Sequence, residues 1–96
     1  MKYLVAVSWD CDQTKAVVET GMRQMERRPI GETVGGATTI VRFSVVGENL
    51  VFSLIEAEDH QDLLREIAPI KQYADVTVYP VIDADEGIKI LYDSFQ

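Results

Sequence analysis

Apolar side chains crowd residues 50–55 so densely that Ser53 alone interrupts them. A strand that is apolar at both odd and even positions has no solvated face, so it belongs in the middle of a sheet. Glu56-Ala57-Glu58-Asp59 then carries this run into a helix start. Residues 3–9 have a similar character. Tyr3, Val5, Val7 and Trp9 share one face and Leu4, Ala6 and Ser8 the other, which predicts a second central strand. Residues 38–46 are rich in β-branched side chains, and Gly47-Glu48-Asn49 is a hairpin-length link from them to Leu50. Residues 75–82 form a further strand. Pro80 has no amide hydrogen for a ladder, which puts that strand at an edge.

The apolar period lengthens to a helical one in three places. Val18, Met22 and Met25, joined by Val17 and Gly21, stripe a helix from about residue 14 to residue 28, and the two methionines are expected in the core. Asp12 is placed to cap it. Glycine inside a helix costs about 1 kcal/mol against alanine, so Gly21 predicts close approach of this helix to the sheet. Leu63, Leu64, Ile67 and Ile70 stripe a second helix, with Asp59 as its N-cap and Pro69 where it ends or kinks. Asp83 and Glu86 have capping-box spacing before a last helix, whose apolar stripe is Ile88, Leu91, Tyr92 and Phe95. Residues 29–36 are rich in helix and strand breakers and predict no regular structure. The segment is long enough to fold over a sheet edge or the mouth of a pocket.

The order is βαββαβ followed by an extra C-terminal helix, in one domain over residues 1–96. The first six elements are those of a ferredoxin-like α+β fold, an antiparallel sheet with its first and third strands central and its second and fourth at the edges. Both helices of that fold cover one face. Apolar residues on the other face require cover of their own. The last helix is expected to supply part of it, and a second copy of the chain the rest, sheet against sheet about a two-fold axis. That arrangement is a dimeric α/β barrel, so a homodimer is expected.

Charge and composition narrow the partners. A formal net charge of -7 argues against nucleic acid and against an anionic membrane surface. The nearest basic patch, Arg23, Arg27 and Arg28, is interrupted by Glu26 and reads as a solvated helix face. The N-terminal apolar run is too short to span a bilayer and lacks a signal-peptide cleavage pattern. Cys11 is the only cysteine, which rules out an internal disulfide and makes a cytoplasmic location the default expectation.

Three stretches carry a family resemblance: Met1-Lys2-Tyr3-Leu4-Val5-Ala6-Val7-Ser8-Trp9, the run Phe52-Ser53-Leu54-Ile55-Glu56-Ala57-Glu58-Asp59, and Asp75-Val76-Thr77-Val78-Tyr79-Pro80-Val81-Ile82-Asp83. Together they resemble the domain of unknown function 3303 family. The resemblance implies a ferredoxin-like fold and brings no activity, cofactor or catalytic residue with it.

Candidate chemistry is sparse. His60 lies among Glu56, Glu58, Asp59 and Asp62, a set able to bind a metal or move protons, but acids at a helix N-terminus follow from the dipole alone. Asp10, Cys11 and Asp12 read as a cap, and their acids oppose a reactive thiolate. Asp83, Asp85 and Glu86 lack the calcium-loop pattern. The glycines Gly31, Gly35 and Gly36 lack phosphate-loop spacing. No metal and no cofactor is expected. Trp9, Arg42, Ser53 and Tyr79 on strands, with His60, are the residues a ligand pocket between sheet and helices would use, and ordinary packing also accounts for them. A charge introduced at Ser53 is expected to cost several kcal/mol as a buried unpaired ion.

Two functions fit. One is a dimeric module that binds a small apolar or aromatic ligand, or a protein partner. The other is a cofactor-independent oxygenase or isomerase of the dimeric α/β barrel type, which rests on fold analogy. A buried cavity holding His60 or Arg42 beside an aromatic favours the enzyme; a pocket filled by side chains favours the module.

Overall fold

The structure, a computed structural model, describes residues 1–95. Five strands form one antiparallel sheet: β1 (Lys2–Ser8), β2 (Thr33–Val34), β3 (Ala37–Ser44), β4 (Leu50–Ala57) and β5 (Asp75–Val81). Their spatial order is β2-β3-β4-β1-β5. The helices are α1 (Thr14–Arg27), entered through a 3-10 turn at Cys11–Gln13, then α2 (His60–Lys71) and α3 (Ala84–Asp93). The doubly apolar strands β1 and β4 are central, and the proline-bearing β5 is an edge. This is the ferredoxin-like α+β arrangement with an added C-terminal helix.

Residues directly opposite each other in an antiparallel ladder share a face. One face therefore carries the rows Thr39–Ile55–Tyr3, Arg42–Ser53–Val5–Val78 and Ser44–Val51–Val7–Val76. Here α2 packs on the sheet, and Leu63 and Ile67 join Tyr3, Val5, Ala37, Ile55 and Ala57 in the core. The other face carries Leu4, Leu54, Val41 and Tyr79 in one row and Ala6, Phe52, Phe43 and Thr77 in the next. Among the described residues, no helix lies over it.

The segment 29–36 is more ordered than its breakers suggest. It contains β2, joined to β3 by Gly35-Gly36, both at positive φ (57° and 80°). Two consecutive positive φ values make the tight hairpin turn whose twist matches the flanking strands. The segment lies along the β3 edge, with the Gly31 amide donating to the Thr39 carbonyl at 2.9 Å. β3 itself carries a bulge between Thr39 and Val41. Strict alternation from inward-facing Thr39 would turn Arg42 outward; the extra residue, Ile40, reverses that.

Several local expectations are corrected. Asp12 sits inside the 3-10 turn and caps nothing, and Asp83 makes no side-chain cap on α3 but pairs with Lys2 Nζ at 3.3 Å. Asp59 does cap α2, its Oδ1 accepting from the Asp62 amide at 2.9 Å. The helix α2 continues two residues past Pro69, which sits in its last turn. Met22 and Met25 are 54 % exposed and are not core. A Cβ at Gly21 would meet nothing within 4 Å, so this glycine marks open space and not close approach. The buried residues of α1 are Val17 and Thr20. The last helix does not fold back over the open sheet face; among the described residues no strand or helix packs against α3.

Candidate functional site

From α1, Val17, Val18, Gly21, Met22, Gln24 and Met25 line a cavity beside the sheet. Thr20 spends its hydroxyl on the Ala16 carbonyl at 2.8 Å, Gly21 has no side chain, and Gln24 Nε2 donates to the backbone carbonyl of Glu66 at 3.0 Å. The helix is thus tied to α2. The cavity between α1 and the sheet is about 660 Å³. Val5, Val7 and Val51 line its sheet side, and the exposed Val18, Met22, Met25 and Ile30 form its rim.

The inner end of the cavity is charged. Glu66 takes a core-facing position of α2, beside Leu63 and Ile67, and is 6 % exposed. The Arg28 Nε forms an ion pair with Glu66 Oε2, and Thr39 Oγ1 donates a long hydrogen bond of 3.5 Å to Oε1. Arg28 reaches this position because the chain leaves helical geometry there (φ -132°, ψ 69°), the helical region being disfavoured for the residue before Pro29. Its Nη1 donates to the Val34 carbonyl at 2.6 Å. Arg42 Nη2 donates in turn to the Arg28 carbonyl at 2.7 Å. Burial pushes the Glu66 carboxyl above the usual carboxylate range, and the Arg28 and Arg42 guanidiniums offset part of that rise. A buried carboxyl held this way can keep or yield a proton near the cavity.

Of the sequence-predicted site residues, Trp9, Arg42 and Ser53 line this cavity. Trp9 is held at the start of α1, its Nε1 donating to Thr14 Oγ1 at 3.2 Å. Ser53 is half-buried and stands opposite Arg42 in register. A carboxylate at Ser53 would therefore face a guanidinium and not an apolar core, which lowers the cost expected from the sequence. His60 is elsewhere: it opens α2, exposed, with its ring edge-on to Tyr3 at 5.9 Å. Tyr79 is on the open sheet face, 50 % exposed. Sequence reasoning missed Glu66, Arg28, Thr39 and Gln24. The one available signal was Glu66 at an apolar position of the α2 period. Arg28 was grouped with Arg23 and Arg27 on a solvated face; those two are exposed, but Arg28 turns inward.

The other polar clusters are structural. Asp62 pairs with Arg65 at 3.0 Å beside the α2 cap. Cys11 is exposed and its Sγ accepts from Asn49 Nδ2 at 3.5 Å. Among the described residues, no three His, Cys, Asp or Glu side chains are grouped to hold a metal ion, and no helix is long and apolar enough to cross a membrane.

Fold and cavity together define a ferredoxin-like α+β protein with a pocket between its sheet and first helix. The chain belongs to the family described as Domain of unknown function (DUF3303), whose profile matches residues 1–95. No curated protein matches the chain in sequence. Among solved structures it is similar to the crystal structure of a "putative antibiotic biosynthesis monooxygenase" from Deinococcus radiodurans, with a TM-score of 0.45 and 9 % identity over 86 % of this chain and 93 % of that one.

Proposed function

We propose that this protein is a homodimeric module that binds a small apolar or aromatic ligand in the cavity between α1 and the sheet. The observation that carries this reading is a largely apolar cavity of about 660 Å³ lined also by a few polar groups, among them Arg42, Ser53 and Glu66. Small-molecule sites have this composition and a volume of about 300–1,000 Å³. The dimer is supported by the sheet face that no helix covers among the described residues, where Phe43 is 60 % exposed, and by the stripe of α3, which packs on no strand or helix among them. A contiguous apolar surface of this kind signals an interface.

The test uses Trp9, the only tryptophan, which borders the cavity. Titration with 4-butylbenzoate is expected to change Trp9 emission saturably in the wild type. Gly21→Leu, which projects into the open space, should weaken that binding at least tenfold. Equal binding by both proteins would place the ligand elsewhere, and no saturable change in the wild type would contradict the reading.

A second reading is favoured by Arg42 and Trp9 both bordering the cavity, with the buried carboxyl of Glu66, whose pKa burial raises, also in its lining. It is an enzyme, a cofactor-independent oxygenase or isomerase, in which Glu66 moves a proton to or from a bound substrate. In that case a ligand with an acidic C–H, incubated in heavy water, exchanges its proton with the wild type and not with Glu66→Gln. Exchange at equal rates with both proteins would remove Glu66 from that role.

A further inference from the structure

The charges at the inner end of the cavity do not balance. Arg28 and Arg42 bring two positive charges, and Glu66 brings one negative charge. Arg28 is committed to Glu66 through Nε and to the Val34 carbonyl through Nη1. Arg42 has a backbone carbonyl as partner, at Arg28, and no ion pair among the described residues. A guanidinium carries five N–H donors, and its neighbours along the ladder row are the Ser53 hydroxyl and then Val5 and Val78. Glu48 borders the cavity from the exposed β3–β4 turn and makes no ion pair with Arg42. A half-buried cation facing an apolar space is costly unless something pairs with it.

We infer that the ligand of this cavity is an anion, an apolar or aromatic carboxylic acid whose carboxylate pairs with Arg42 while its hydrocarbon part lies against Val5, Val7 and Val51. This rests on the reading of the cavity as a ligand site. A carboxylate matches the planar fork of a guanidinium with two parallel hydrogen bonds, and the Ser53 hydroxyl stands opposite as a further donor. An amine or a metal ion placed at Arg42 would meet the local surplus of positive charge, since the cavity's other acid, Glu48, lies on the exposed β3–β4 turn. Protonation of Glu66, toward which its burial pushes it, enlarges that surplus. The bulge at Ile40 acquires a role here, since it turns Arg42 to the cavity side.

The experiment compares 4-butylbenzoate with its neutral isostere 4-butylbenzamide at pH 7.5. Binding to the full chain is followed by Trp9 emission and by amide chemical shifts. The wild type is expected to bind the acid at least tenfold more tightly than the amide. In Arg42→Met the two compounds should bind within threefold of each other. If the wild type binds the amide as tightly as the acid, the anion assignment is overturned and the cavity reading stands. If the tenfold preference persists in Arg42→Met, Arg42 is not the partner and the inference is overturned. If neither compound perturbs the wild type, the cavity reading falls and takes the inference with it. The wild-type comparison decides the ligand's charge even where Arg42→Met fails to fold.

Discussion

At the scale of residues, one carboxyl group accounts for most of what is unusual. Glu66 stands where an apolar side chain would serve packing better, and it is tolerated because Arg28 meets it. Breaking a buried pair by removing one partner costs about 3–5 kcal/mol, so Arg28→Met should destabilise by about 3 kcal/mol, read from urea denaturation at neutral pH. Glu66→Gln should cost less, because it leaves no buried anion. The pH dependence has a definite sign. The folded-state pKa of Glu66 is raised above 4.5, so the folded chain holds this proton more tightly than the unfolded chain. Its contribution is fully present below pH 4.5 and is lost as pH rises through the folded-state value. The stability difference between wild type and Glu66→Gln should therefore fall with rising pH across that window. A difference independent of pH would show that burial does not control the group. The sequence singled out Trp9, Arg42 and Ser53 by residue type; all three border the cavity, Arg42 only because the bulge at Ile40 turns it inward. It hid Glu66 because one polar residue in a helical stripe is ambiguous, and Arg28 because side-chain direction at a helix end depends on how the chain leaves the helix.

At the scale of elements, the long runs were legible and the short irregularities were not. The central strands β1 and β4, the edge strand β5 and the Asp59 cap of α2 all follow from apolar period and local chemistry. The hairpin at Gly35-Gly36 was missed although glycine pairs favour that turn, because strands of two residues give no period to read. Its glycines are needed: Gly36 has φ 80°, and a Cβ there would lie 2.5 Å from Asp62 Oδ2. Gly36→Ala should destabilise by about 1–2 kcal/mol, the cost of a left-handed backbone for an L-residue, measured as a fall in the urea midpoint. Gly21 predicts the opposite outcome. Its Cβ would enter open space, so Gly21→Ala should stabilise α1 by about 1 kcal/mol and raise the melting temperature. A loss of stability would mean that α1 sits closer to the sheet than the structure shows. The stripe of α1 was read as core because amphipathicity gives a helix a preferred side and does not say how far that side stands from its neighbour.

At the scale of the whole molecule, two apolar surfaces lack a partner among the described residues. One is the sheet face with Phe43, Phe52, Leu54 and Leu4; the other is Ile88, Leu91 and Tyr92 of α3 with Phe95 just beyond it, these last four each more than half exposed. The described chain measures 52 × 30 × 19 Å, thin because one side of the sheet has no second layer. A second copy covers such a face without new chemistry, since a two-fold interface uses one patch twice. Phe52→Glu should therefore reduce the sedimenting mass from twice 10.8 kDa to that of a single chain, while the circular dichroism spectrum is retained. A wild type that already sediments as a single chain would remove the dimer from the account.

Native mass spectrometry of freshly purified protein, set against the denatured mass, tests ligand binding and assembly in one spectrum. The expected result is a dimer carrying up to one small organic acid per chain, absent after denaturation and depleted in Gly21→Leu. A bare monomer, unchanged by that substitution, would contradict both the occupied cavity and the paired sheets.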